Sequence, residues 1–214
     1  MYNIHKGDDF MYCKGHNRRV QICKEWDVNP IAHLKLLQGR IVKSDAGGGN
    51  ITDTYVLFEC INKKNHNLKD TIYCSPTTAK DFCDINGVTL PPLFNPLHQQ
   101  NHGHGSNKHI NSKDKKWNPC RKQLYNIVMV IFSYLGTVEK DSVLFHIKQE
   151  LEDTRFIDYY PKKQARSINS YLSKMGTTFK KIIDELAINN DLRDFKYDLV
   201  VEYIKKLGLD QHIY

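Results

Sequence analysis

No apolar run in this chain is longer than six residues (127–132), well short of the roughly 18–20 that a membrane-spanning helix needs. The first residues, MYNIHKGDD, contain no apolar stretch of signal-peptide length, and acids follow at once. A secreted or membrane-anchored chain is therefore not expected. None of the six cysteines forms a C-x2-C pair, which argues against the close-paired spacing of zinc ribbons and fingers. Without a secretion signal the thiols are expected to stay reduced, which predicts a cytoplasmic protein with no membrane partner. There is no Gly-Lys-Ser/Thr, and the glycine run at 46–50 precedes an expected strand rather than a helix, so it is not read as a phosphate-cradling loop. A Gly-x-Ser-x-Gly nucleophile elbow is also missing.

What is present suffices for a folded protein. The chain has 214 residues, 40% of them hydrophobic, enough for one medium domain or two small ones with a sizeable core. The composition predicts an α+β protein: residues 1–97 form a small antiparallel sheet domain with a helix, and residues 117–214 an all-helical bundle domain. Between them, residues 98–116 are rich in Gly, Asn, Ser, His and Lys and nearly devoid of apolar side chains, the composition of a flexible linker.

In the first half, 39–45 and 52–61 are expected to pair as a hairpin across the turn at 46–50, where consecutive glycines allow positive φ. A third strand is expected at 70–74. Ser75 and Pro76 then read as an N-cap followed by a proline in the first helical turn, opening a helix over 77–85 that Gly87 ends. A short helix is expected over 30–38, and the proline-rich 91–96 as an extended segment. In the second half, helices are expected over 121–135, 141–152, 161–175, 178–188 and 195–207, with glycines ending several of them.

Charge is the strongest functional signal. The net charge is +7, and it is concentrated. Residues 98–122 carry +5 and residues 161–181 carry +6, leaving the remainder at −4. Such clustering points to a surface that faces a polyanion. The helix over 161–175 has an inner stripe of Ile168, Leu172 and Met175. Lys162, Lys163, Arg166, Ser170 and Lys174 lie on or beside its other face, with Asn169 at the edge. Cations there would meet phosphates, while Asn169 and Ser170 could meet base edges. From the linker and the start of the next helix, Lys115, Lys116, Arg121 and Lys122 would add phosphate contacts around Trp117, an aromatic able to stack on a base. A helix-turn-helix allows only three or four residues between its helices, whereas 153–160 intervene here, so a different helical arrangement is expected. The predicted function is non-catalytic nucleic-acid binding, with DNA the expected ligand and no cofactor.

Two other readings use the same residues differently. The basic face could dock an acidic protein within a larger assembly. Alternatively, Asp45 and Glu59, 14 positions apart on the expected hairpin, could bind Mg²⁺ as in some metal-dependent nucleases. The lysine expected two positions after the glutamate is Ile61, however, and Glu59 fits an outward-facing polar residue equally well. His98, His102, His104 and His109 could ligate a metal, as could Cys60, Cys74 and Cys83 with a histidine. Neither set has the spacing of a known site, and no metal is expected.

Overall fold

A computed structural model describes residues 11–98 and 116–214. Most of the expected linker, including Lys113, Lys115, His102, His104 and His109, lies outside the described residues. The described chain divides into two compact units. The first comprises the described residues up to Leu36 together with Ile41–Phe94 and Glu139–Asp141. The second comprises Leu37–Arg40, Asn95–Val138 and Ser142–Tyr214. The fold is α+β: a small sheet with helices, followed by a helical region.

The first unit runs α1 (His16–Glu25), β1 (Trp26–Lys35), β2 (Val42–Lys43), β3 (Asn50–Ile51), β4 (Thr54–Asn62), β5 (Lys69–Cys74), α2 (Pro76–Asn86) and β6 (Leu93–Phe94). Its four-stranded sheet has the order β5-β4-β1-β6. β4 lies antiparallel to β1 and β5, and β6 pairs parallel with β1, so the sheet is mixed rather than purely antiparallel. The expected hairpin shrinks to a two-residue ribbon, Val42–Lys43 against Asn50–Ile51. The long partner of β4 is instead β1, which covers part of the segment expected to be a helix over 30–38. Pro30 does not stop this strand because the register shifts between Pro30 and Ala32; a bulge tolerates a residue without an N–H.

One sheet face carries the core of the unit. Val28, Val56, Phe58, Cys60, Ile72 and Cys74 pack against Ile22 and Cys23 of α1 and Ala79, Phe82 and Cys83 of α2. The Phe58 and Phe82 rings sit 5.4 Å apart, and burying each contributes about 2–3 kcal/mol. α2 is built as its sequence directs. The Ser75 side chain accepts the Thr78 N–H, Pro76 opens the helix, and Gly87 closes it at φ 65. Asp81 ties the two helices together, accepting from Arg19 Nε at 2.5 Å and pairing with His16 Nδ1 at 2.9 Å. The Arg19 guanidinium is the main cause holding that carboxyl below its usual range.

The second unit contains α3 (Pro119–Leu135), α4 (Val143–Glu152), α5 (Lys162–Lys174), α6 (Phe179–Ala187) and α7 (Asp198–Lys206), matching the five expected helices. α3 is apolar nearly all round and therefore buried, and it packs against α4, α6 and α7. Local capping sets its neighbours' starts. Asn118, Ser142 and Thr178 accept backbone N–H groups of α3, α4 and α6, respectively. Among the described residues no helix is long and apolar enough to cross a membrane.

Candidate functional site

α5 presents two different faces. Ala165, Ile168, Asn169 and Leu172 are buried, at the i, i+3, i+4, i+7 spacing of a core-facing stripe. Lys162, Arg166, Ser170 and Lys174 are all exposed, following one another at intervals of four, so they form a slowly turning outer stripe. Lys162, Arg166 and Lys174 have no acidic partner among the described residues. The start of the helix is electrostatically awkward. It opens with Lys162 and Lys163, has no acid in its first turn, and receives no side-chain cap from Pro161. Cations at a helix N-terminus oppose the macrodipole, and for Lys162, which has no acidic partner among the described residues, no ion pair offsets that placement.

Three cations expected on the basic surface already have partners. Lys163 Nζ bridges Glu150 Oε1 at 2.8 Å, and Gln164 Nε2 reaches the other oxygen at 2.8 Å. The Lys163 ammonium is the main cause holding the Glu150 carboxyl below its usual range. The Lys163 side chain nevertheless remains largely exposed. Arg121 is buried, contrary to its expected role as a phosphate contact. Its Nε donates to the Leu151 carbonyl at 3.0 Å and its Nη2 to the Glu150 carbonyl at 2.6 Å, so the guanidinium satisfies the end of α4. Lys122 places its ammonium 4.7 Å from the centroids of both Trp117 and Tyr125, and desolvation there lowers its pKa. Trp117, half-buried just before α3, packs edge-on against Tyr125 of that helix at 5.3 Å. Lys116 is exposed.

Asn169 departs furthest from expectation. It is buried, donates from Nδ2 to the Asp210 carbonyl at 2.7 Å, and accepts the His212 N–H on Oδ1 at 3.0 Å. Both ends of its amide are spent fastening the C-terminal segment. Of the two residues expected to meet base edges, only Ser170 lies on the outer face of α5.

Residues 153–160 lie between α4 and α5. They form an exposed aromatic ledge just before α5. Phe156, Tyr159 and Tyr160 are 45%, 58% and 64% exposed. The Phe156 and Tyr159 rings lie 5.9 Å apart, and Tyr160 stacks on Tyr203 of α7 at 5.2 Å with planes 27° apart. Arg155 sits over the Phe156 ring and pairs with Asp153, drawing that carboxyl down to about 2. Two adjacent tyrosines followed by Pro-Lys-Lys were the available signal.

The α4–α5 region also buries a cation. Lys148 is 3% exposed and meets Glu152 Oε2 at 2.5 Å; desolvation lowers its pKa against the pull of Glu152. The Tyr125 hydroxyl bonds the same carboxylate.

In the first unit the expected nuclease pair does not assemble. Asp45 Oδ2 accepts the Tyr73 N–H at 2.7 Å, and the Asp45 backbone pairs with the same residue. Glu59 is not outward-facing as expected: it is 2% exposed on β4, whose residues are buried on both faces at its centre. Among the described residues no group of three or more His, Cys, Asp or Glu side chains is placed to hold a metal. A concavity of about 390 Å³ lies between the glycine loop and the start of α2, but its lining includes no cation and does include Asp53, whose carboxylate pairs with Lys35.

All six cysteines are free and buried. Burial pushes the Cys13 thiol up to about 12 and Cys120 to about 11, and raises Cys60 and Cys74 strongly. Because the thiolate is the reactive form, the native protein at pH 8 is expected to react with Ellman's reagent far more slowly than the denatured chain. In guanidinium all six thiols should titrate within minutes. Rapid labelling of the native state would contradict the buried placement.

The chain matches no family model, no curated protein and no solved structure.

Proposed function

We propose that this is a non-catalytic DNA-binding protein that holds the phosphate backbone on the outer face of α5. The observation carrying the reading is the exposed stripe of Lys162, Arg166, Ser170 and Lys174, whose three cations have no acidic partner among the described residues. Lys163, bridged but mostly exposed, is available as a fourth because a surface ion pair contributes only about 0–1 kcal/mol. The basic N-terminus of the helix supports the reading as well. A phosphate there would meet the lysines at the positive end of the helix dipole. The free thiols fit a reducing, cytoplasmic setting.

With Arg121 and Lys122 engaged elsewhere, the cations of α5 neutralise about four phosphates. Affinity for a 20-base-pair duplex is therefore expected to fall with salt at a log–log slope of about −3.5, and for a 20-nucleotide strand at about −3. Fluorescence anisotropy titrations between roughly 50 and 200 mM salt test this. Binding that ignores salt, or no binding to either DNA, would overturn the proposal.

A further inference from the structure

We propose that the ledge formed by Phe156, Tyr159, Tyr160 and Tyr203 is a base-stacking platform, and that the DNA held on α5 is single-stranded. The inference rests on the reading of α5 as a DNA-binding face and specifies the form of the ligand. Three observations converge. First, three of these aromatic residues are exposed, Tyr159 and Tyr160 by more than half, with Tyr203 half-buried behind Tyr160, although aromatic side chains usually gain by burial. Second, the ledge adjoins the cationic stripe. Tyr160 lies two residues before Lys162, whose N–H donates to the Tyr160 carbonyl at 3.0 Å, and Arg166 is close enough to Tyr203 for its charge to oppose the rise in pKa that burial causes there. Third, acids within the ledge are offset. Asp153 is paired with Arg155, and Asp158 acts on the buried Arg121.

Cations that follow a phosphate backbone beside rings that accept base faces are the components of sequence-tolerant single-strand binding. Duplex DNA could use the cations but not the rings, because its bases are already stacked. An acidic peptide would also be drawn to the cations, yet carboxylates gain nothing from the negative face of an aromatic ring. The exposed tyrosines therefore favour a strand with free bases.

The test uses the full chain with three fluorescein-labelled probes at low salt: a twenty-residue oligothymidylate, a twenty-base-pair duplex and polyglutamate. The Tyr159→Ala, Tyr160→Ala double variant is expected to bind the single strand about 10- to 100-fold more weakly, with less than a twofold change on the duplex. Tyr160→Phe keeps the ring and should retain affinity. Tyr160 stacks on Tyr203, so its removal could loosen α7; Tyr159→Ala alone, whose ring meets that of Phe156 within the same segment, guards against that and should still weaken the single strand severalfold. An unchanged single-strand affinity, or an equal loss on strand and duplex, overturns the stacking platform while leaving the phosphate-binding face of α5 standing. Failure of the parent chain to bind either DNA, or equally tight binding of polyglutamate, overturns both.

Discussion

A chain carrying Lys162→Glu and Arg166→Glu is expected to bind DNA about 100-fold more weakly at low salt while melting no lower than the parent. The loss follows from removing two of about four phosphate contacts and setting two anions against the remaining backbone charge. The retained stability follows from the helix. Both side chains are exposed and neither has an acidic partner among the described residues, so no bridge is broken. Residue 162 begins α5, where an acid is favoured by roughly 0.3–1 kcal/mol through the macrodipole. The existing Lys162–Arg166 pair already repels at i, i+4, and two glutamates repel to a similar degree. Affinity should therefore fall while the melting temperature holds or rises. Thermal melts alongside anisotropy titrations check both halves. A double variant that retained full affinity would remove α5 from the interface; one that unfolded would show that these lysine and arginine side chains carry structure instead.

The start of α5 is legible at Pro161, within one residue of where the helix begins, and so is much of the helix behind it. Ile168 and Leu172 announce the inner stripe, and it is buried as their spacing requires. Asn169 illustrates a limit of residue type as a guide. It sits one step from Ile168 and four from Ala165, within the inner stripe by helical geometry, but its polarity suggests the surface. What holds it inside is a pair of backbone groups from Asp210 and His212, some forty residues later, which no local pattern signals. Arg121 is hidden for the same reason. Its partners are the carbonyls ending α4, and counting charge treats a buried guanidinium and a solvated one alike.

In the first unit, elements written in local chemistry are legible, such as the Ser75–Pro76 cap and the Gly87 stop of α2. The strand pairing is not. Gly47, Gly48 and Gly49 all take positive φ and do turn the chain, but a turn signal gives no length for the strands beside it. β4 takes its long partner from β1, across a bulge at Pro30 that imitates a strand end. The burial of Glu59 is illegible for the same reason. An alternating pattern implies one wet face, whereas β4 is a central strand buried on both.

The buried ion pair on α4 sets up the second large effect, on stability rather than affinity. Glu152→Gln is expected to destabilise the protein by about 2 kcal/mol at pH 7. Lys148 is 3% exposed, and its ammonium has been stripped of water in exchange for one carboxylate at 2.5 Å. Glutamine preserves the shape and can still accept the Tyr125 hydroxyl, but it supplies no charge. The cost stays below that of a fully enclosed pair because the Glu152 side chain keeps 39% of its surface open, and water there screens the attraction. The pH dependence gives the loss a direction. Desolvation places the folded pKa of Lys148 below its ordinary value, with Glu152 opposing the shift. A lysine with a lowered folded pKa binds fewer protons in the folded than in the unfolded chain between those two values, so stability rises with pH across that interval. Removing Glu152 lowers the folded pKa further and widens the interval downward, so the deficit of Glu152→Gln should be greatest near neutrality and shrink toward pH 10. Lys148→Met, which fills the same space without charge, should be neutral or stabilising and should not share that pH dependence. Urea denaturation at pH 7 and pH 9.5 distinguishes these outcomes: a Glu152→Gln deficit that is absent at pH 7, or constant across pH, would mean that the ammonium is solvated and the pair is incidental. Neither substitution touches the outer face of α5, so DNA affinity should stay within twofold of the parent in both.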